Sequence, residues 1–132
     1  LDVGCGTGRN ALYLSQNGFN VDAWDVNENS LQTLRQIVQT EQIDHVQVQR
    51  RDLNTDTSIA GQYDFIYCTV VMMLLEAKTI PPLIAQMQQA TVPGGYNLIV
   101  CAIDTPDIPA QADFPFAFQP GELRGYYEGW NI

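Results

Sequence analysis

Near the start of this chain, Leu1-Asp2-Val3-Gly4-Cys5-Gly6-Thr7-Gly8-Arg9-Asn10 sets three glycines at alternate positions. Without a Cβ the backbone can turn sharply there and touch a ligand, while the amides of a following helix point at the ligand's anionic end. The dinucleotide fingerprint wants its third glycine one place later, where Arg9 stands, so the spacing disfavours a nicotinamide dehydrogenase. Arg9 follows the loop at a point where a guanidinium can pair with a bound carboxylate; the plainer alternative is a helix-surface arginine. Asp25 comes about 17 residues after Gly8, close to the spacing of about 20 at which an acid meets ribose hydroxyls in nucleotide folds. Asp52-Leu53 repeats the logic further on: the acid can accept from an exocyclic amine while the next amide donates to a ring. Taken alone, Asp25 also reads as a solvated strand end and Asp52 as a turn residue. Their order along the chain is the stronger signal.

These groups need elements to hold them. Leu1-Asp2-Val3 reads as the tail of a buried strand whose beginning is cut away, so the sequence is taken as a fragment. A short helix follows from Asn10, stopped by Gly18 after Asn17. Phe19 to Val26 alternates as a strand does, and Glu28 to Gln42 places Leu31, Leu34, Ile37 and Val38 at helical spacing, with Asn27 or Asn29 able to cap it. Val46 to Gln49 and the apolar, β-branched run Tyr63 to Val71 read as strands, and Ile80 to Ala90 as a helix. Pro93-Gly94-Gly95 is expected to end that helix, before a strand from Asn97 to Ala102. A Pro-rich stretch from Asp104 to Pro120 leads to a short helix around Glu122 to Tyr127. Alternating strands and helices of this length imply an α/β fold of one domain over residues 1–132: a doubly wound, mostly parallel sheet with helices on both faces. Ligands of such sheets bind beyond the carboxyl ends of the strands, and each motif falls at such an end.

Six basic residues against fifteen acidic ones give a formal charge of −9, a field that repels phosphate backbones and anionic membranes. Nucleic acid is not the expected substrate, and no apolar run approaches the roughly 20 residues of a membrane span. With no signal peptide opening the chain, the expected compartment is the cytoplasm. Cys5, Cys68 and Cys101 are odd in number and widely spaced, which points to no disulfide or metal framework.

In this order the pieces resemble the Rossmann-like S-adenosylmethionine-dependent methyltransferases, whose pattern opens with an acidic residue and Gly-x-Gly-x-Gly. The resemblance narrows to the bacterial tellurite-resistance methyltransferases, the TehB family, through Ala23-Trp24-Asp25, Tyr63-Asp64-Phe65-Ile66, Leu75 to Pro81, Gly94 to Val100, Phe114 to Phe118, Gly121 to Arg124 and Tyr126 to Trp130. It implies S-adenosylmethionine as cofactor and a sheet truncated here at both ends. By it, the loop Gly4 to Gly8 holds the methionine part, Asp25 the ribose, and Asp52 with Leu53 the adenine, while Thr69 and Val70 line the methyl-donor cleft. The cofactor-binding set is then Asp2, Gly4, Gly6, Gly8, Arg9, Asn10, Asp25, Val26, Asp52, Leu53, Thr69 and Val70. Met73, Phe116, Arg124 and Tyr127 are the substrate-cleft candidates. No catalytic residue is assigned.

Other residues have plainer readings. His45 is expected on the surface before the third strand, and Cys68 and Cys101 as apolar strand side chains. Phe114, Phe116, Phe118, Tyr126, Tyr127 and Trp130 form either a satellite core or an aromatic wall suited to a sulfonium cation. The function this supports is methyl transfer to a small soft nucleophile, tellurite or related selenium oxyanions. That choice of substrate rests on the resemblance. A chalcogen lone pair has no proton to remove, which suits a chain without an obvious His- or Glu-based catalytic pair. The alternatives are methylation of a thiol or other small xenobiotic or, for the fragment, a non-catalytic cofactor-binding module; separately, the fragment is expected to self-associate through an exposed sheet edge.

Overall fold

Short apolar runs alternate along the chain with stretches of helical spacing, and each becomes one element of the computed structural model, which describes residues 1–132. The order is β1 (Asp2–Val3), α1 (Arg9–Gln16), β2 (Val21–Asp25), α2 (Glu28–Thr40), β3 (Val46–Arg50), β4 (Tyr63–Thr69), α3 (Ile80–Gln89), β5 (Thr91–Val100) and α4 (Glu122–Tyr126). Two single-turn 3₁₀ helices, Met72–Leu74 and Ala77–Thr79, join β4 to α3. The strands lie in the order β3-β2-β1-β4-β5, every neighbouring pair parallel. The expected doubly wound parallel sheet is present.

Local chemistry sets the helix ends. The Asn27 side chain accepts from the amides of Asn29 and Ser30 at 3.0 and 3.2 Å, satisfying two orphan donors at the start of α2. Pro81 and Pro82 sit in the first turn of α3, where a missing N–H breaks no helical bond.

Register then decides the faces. Asp2 pairs with Ala23 and with Tyr67, and Tyr67 with Leu98, so these four share one face. On it α1 and α2 bury Ala11, Leu31 and Leu34 against Val21, Ala23 and Val46. The opposite face carries Val3, Trp24, Ile66 and Cys68, covered by Ile80, Leu83, Ile84 and Met87 of α3 and by Phe118 and Tyr127 of the later chain. Helices therefore lie on both faces. Over the β4–β5 half of the first face no helix lies, and Tyr96, Leu98 and Val100 are exposed there.

Four expected boundaries shift. Pro93-Gly94-Gly95 does not end a helix: α3 stops at Gln89, and Thr91 is already paired with Tyr63. The register then moves two residues along β4, from Tyr63 to Phe65, against five along β5, from Thr91 to Tyr96, so the Pro-Gly-Gly segment is a bulge inside the strand, with Gly94 at φ +80. In place of Asn97 to Ala102, β5 runs Thr91–Val100. The second strand begins at Val21 because Phe19 closes the turn after α1 by donating to the Leu14 carbonyl at 3.1 Å. The fourth ends at Thr69 because Val70 turns to φ +62. No helix is long and apolar enough to cross a membrane.

Candidate active site at the sheet's switch point

Chain order reverses between β1 and β4, and the loops leaving their carboxyl ends form the crevice in which open α/β sheets bind ligands. The loop after β1 holds Gly4, Gly6 and Gly8, all at positive φ, but they are needed for different reasons. A Cβ on Gly4 would fall 2.1 Å from Val71 Cγ2, and one on Gly8 would fall 2.3 Å from Leu34 Cδ1. These two glycines let the loop sit down on its own protein. A Cβ on Gly6 would meet nothing within 4 Å. It would project into open space, the side from which a ligand can approach the backbone.

Asp25, at the end of β2, is joined directly to this loop. One carboxylate oxygen accepts from the Gly6 amide at 2.8 Å, the other from the Asn27 amide at 2.8 Å. Each oxygen has acceptor capacity left, since a carboxylate offers about four lone-pair sites. At the other side of the crevice the Asn10 side-chain amide donates to the Thr69 hydroxyl at 3.3 Å, tying the first turn of α1 to the end of β4. That turn has no side-chain cap and no acid, so its free amides present partial positive charge to the crevice. Past β3, Asp52 accepts from the Asn54 amide at 3.0 Å, while the adjacent Leu53 side chain is buried in the main core. Arg51 lies 4.3 Å from the centre of the Trp24 ring and bonds Asp56 and the Ser58 carbonyl, which fixes the backbone leading into Asp52.

Beneath the loop, Asp2 of β1 is 1% exposed and Tyr67 of β4 is 2% exposed. Both Asp2 carboxylate oxygens and the Tyr67 hydroxyl lack hydrogen-bond partners. Burial pushes the Asp2 carboxyl up to about 6; the Tyr67 hydroxyl beside it acts the other way, although the two do not reach hydrogen-bond geometry. Burial also raises the Cys5 thiol to about 12, which leaves it an apolar filler between two glycines.

A model of the tellurite resistance protein TehB family matches residues 1–132, the whole chain. The chain belongs to the TehB family. It is 45% identical over 132 residues to a probable S-adenosyl-L-methionine-dependent methyltransferase TehB of Haemophilus influenzae, covering all of this chain and 46% of that protein. A protein of Eikenella corrodens named hemagglutinin 1 is 42% identical over the same 132 residues, which cover 43% of its length. The crystal structure of TehB from Haemophilus influenzae superposes with a TM-score of 0.93 at 43% identity, over 98% of this chain and 45% of that one. The chain thus spans about half the length of the relatives it matches.

In this TehB-family chain an open cavity of about 650 Å³ is lined by Gly4, Gly6, Arg9, Asn10, Tyr67, Thr69 and Val70, among others. Arg9 is exposed on its rim with no acidic partner. Gly8 is buried against Leu34 and does not line it, and Asp25, Val26, Asp52 and Leu53 lie along the neighbouring strand ends. None of Met73, Phe116, Arg124 and Tyr127 lines it. Met73 is buried, and Phe116 packs against Phe118 with ring centres 4.7 Å apart. The buried Tyr127 donates its hydroxyl to Asn97 at 3.2 Å. Arg124 and Tyr127 line a larger cavity of about 860 Å³ beside β5, a strand paired on one side only, and the glycine loop does not contribute to it. Of the expected cofactor-binding residues, Gly4, Gly6, Arg9, Asn10, Thr69 and Val70 line the smaller cavity, and Asp2, Gly8, Asp25, Val26, Asp52 and Leu53 do not. Of the six later aromatics, Phe118 and Tyr127 are buried in the main core, Phe116, Tyr126 and Trp130 pack against it, and Phe114 does not. His45 is exposed, as expected.

Reading the sequence missed Tyr67, Val71 and Leu34. A hydroxyl inside the apolar run Tyr63 to Val71 was the available signal for Tyr67. For Val71 and Leu34 there was none, because their contacts with Gly4 and Gly8 exist only once β4 and α2 are docked.

Proposed function

We propose that the protein transfers a methyl group from S-adenosylmethionine to a small soft nucleophile, with tellurite or a related selenium oxyanion as acceptor. The observation that carries this reading is the joined pair at the switch point: a glycine whose missing Cβ leaves the loop open, bonded through its amide to the acid ending the next strand. The residues present suit this cofactor. The open Gly6 position and the amides of the first turn of α1 accept its methionine part, with Arg9 on the rim for the carboxylate. Asp25 receives the ribose hydroxyls on its remaining lone pairs, beside Val26, and Asp52 with the Leu53 amide receives the adenine. When bound, S-adenosylmethionine supplies an electrophilic methyl group on a sulfonium sulfur.

Thr69 and Val70 close the cleft at the end of β4, and Asn10 holds Thr69 in place through its 3.3 Å hydrogen bond. An acceptor with a chalcogen lone pair needs no proton removed, so the chain's part is to orient the acceptor and keep water out. The three unpaired thiols support the cytoplasm as the compartment, since oxidising compartments favour disulfides. Membership of the tellurite resistance family supports the choice of acceptor.

The test is turnover by the protein at its natural length with S-adenosylmethionine, tellurite and an excess of a thiol, the reductant that takes tellurium(IV) down to the volatile telluride level, followed by headspace analysis for methylated tellurium. Volatile methyltellurium product, lost in Asp25→Ala together with about 1–3 kcal/mol of cofactor affinity by calorimetry, is the expected result. Cofactor binding with methylation of a thiol acceptor alone would overturn the substrate, and unchanged affinity in Asp25→Ala would overturn the ribose role.

A further inference from the structure

Thr79 stands just before α3, where a threonine hydroxyl commonly caps a helix, yet its side chain makes no cap. The reason lies in the sequence. Pro81 and Pro82 are the second and third residues of the helix, and neither has an N–H to offer. Thr79 is only 3% exposed, and a buried hydroxyl needs a partner. It donates to the side-chain oxygen of Asn54, 25 residues back, at 2.9 Å. The Glu76 amide donates to the same oxygen at 3.0 Å. A backbone amide can only donate, so the Asn54 atom it meets is the oxygen and not the nitrogen.

Asn54 also touches the acid after β3. Its backbone N–H donates to Asp52 Oδ1 at 3.0 Å, which leaves the second carboxylate oxygen open. The amides of Thr55 and Asp56 and the Thr55 hydroxyl close on the Asp52 carbonyl at 3.1, 3.0 and 2.9 Å, so residues 52–56 form one tight turn. Beyond it, Arg51 holds Asp56 and Ser58, and the Ile59 amide donates to the Gln86 side chain of α3 at 3.1 Å. The turn itself is held by the buried Leu53 side chain and by the two bonds to the Asn54 oxygen. Those bonds come from the segment that leaves the cleft residues Thr69 and Val70 and runs through the two 3₁₀ helices into α3. Asn54 therefore joins the end of the site after β3 to the end after β4.

We propose that Asn54 is a positioning residue for reading the purine base: it anchors the turn after β3 to the segment entering α3, and so holds the Asp52 carboxylate and the Leu53 amide in a fixed relation. This rests on the adenine role proposed above for Asp52 and Leu53. An acceptor beside a donor matches adenine, which offers an amino group next to a ring nitrogen. Hypoxanthine, its 6-oxo counterpart, presents an acceptor and an N–H in their place, reversed at both points. A rigid pair rejects the reversed pattern, because each of its groups is left unpaired. A loose pair turns away to water and discriminates less. Asn54 acts through its neighbours and not on the base.

The experiment is calorimetry on the natural-length protein with S-adenosylhomocysteine, the demethylated cofactor, and with S-inosylhomocysteine, which differs from it only in carrying the 6-oxo base. The readout is the ratio of the two affinities, which a variant that merely loses folded protein leaves unchanged. The unsubstituted protein is expected to favour the adenine ligand by at least about tenfold, the scale of a hydrogen bond to a charged group. Asn54→Leu is close in size but has no acceptor, and in it the preference falls to within about threefold. Asn54→Asp keeps an oxygen at the same reach for Glu76 and Thr79, and the preference returns. Thr79→Val removes one donor at constant shape and narrows the preference by about threefold, which carries the test if Asn54→Leu does not fold. An undiminished preference in folded Asn54→Leu, or in Thr79→Val where Asn54→Leu does not fold, overturns the role of Asn54, as does a failure of Asn54→Asp to restore it. Asp52→Ala separates the two readings. A preference undiminished there, or absent from the unsubstituted protein, overturns the adenine role and this one with it, whereas a preference narrowed there but kept in Asn54→Leu overturns the role of Asn54 alone.

Discussion

Substituting the glycines of the loop singly separates packing from ligand access. Gly4 stands at φ +82 and Gly8 at φ +87, and an alanine at either must adopt a left-handed backbone that costs L-residues about 1–2 kcal/mol. Its methyl carbon would also fall 2.1 Å from Val71 Cγ2 at Gly4, or 2.3 Å from Leu34 Cδ1 at Gly8. Both are well inside van der Waals contact, and overpacking of that kind costs about 1–3 kcal/mol. Leu34 is fully buried, so it has nowhere to retreat. Gly4→Ala and Gly8→Ala are therefore expected to lose about 2–5 kcal/mol each, a large part of a typical domain's stability. Gly6→Ala, at φ +54 with no atom within 4 Å of the added carbon, bears the backbone cost alone, about 1–2 kcal/mol. Its methyl projects where the ligand backbone contact must form, so binding falls sharply while the fold survives. Gly6→Val, with a bulkier side chain, abolishes binding. Urea denaturation of the three alanine variants beside calorimetry with S-adenosylmethionine checks the division. If Gly6→Ala is the least stable of the three, or binds as tightly as the unsubstituted protein, the assignment of roles is wrong.

Three further outcomes follow from the packing. Because burial raises the Asp2 carboxyl from 3.8 to about 6 in the folded chain, protonation favours folding below pH 4 and the benefit is lost as pH rises through 6. Asp2→Asn should therefore be more stable than the unsubstituted protein at pH 7.5, by at most about 3 kcal/mol, with the gap closing toward pH 4; a thermal melt with no gain at pH 7.5 would contradict this. Phe118 is 1% exposed and packs edge-on against Phe116 and Tyr126, so Phe118→Ala should cost about 3–5 kcal/mol in urea titration, and a loss under 1 kcal/mol would place the aromatic segment outside the core. Expressed as these 132 residues alone, the chain should self-associate in sedimentation velocity through Tyr96, Leu98 and Val100, which are 72%, 46% and 46% exposed beside the unpaired edge of β5. A monomer at every concentration reached would count against that surface.

Much of this protein is local in origin and could be read without a structure. Helical spacing of Leu31 and Leu34, the Asn27 cap and the stop at Gly18 are decided within a few residues of themselves, and each appears where expected. The glycine loop and the strand-end acids are legible for the same reason: a motif's residue types and spacing are properties of the chain. What the chain could not declare is what depends on register and docking. Pro93-Gly94-Gly95 looks like a helix stop, but pairing of Thr91 with Tyr63 outweighs that local preference and turns it into a bulge. Where Phe116 and Tyr127 stand is likewise decided by docking: both pack on the main core, with Asn97 receiving the Tyr127 hydroxyl. The Gly6 bond to Asp25 joins residues 19 apart, and the Asp2–Tyr67 pair joins residues 65 apart in the chain. Periodicity within a segment carries no information about which residue will stand beside it on the next strand. That is set only when parallel strands, separated by whole helices, choose their register by burying one face each.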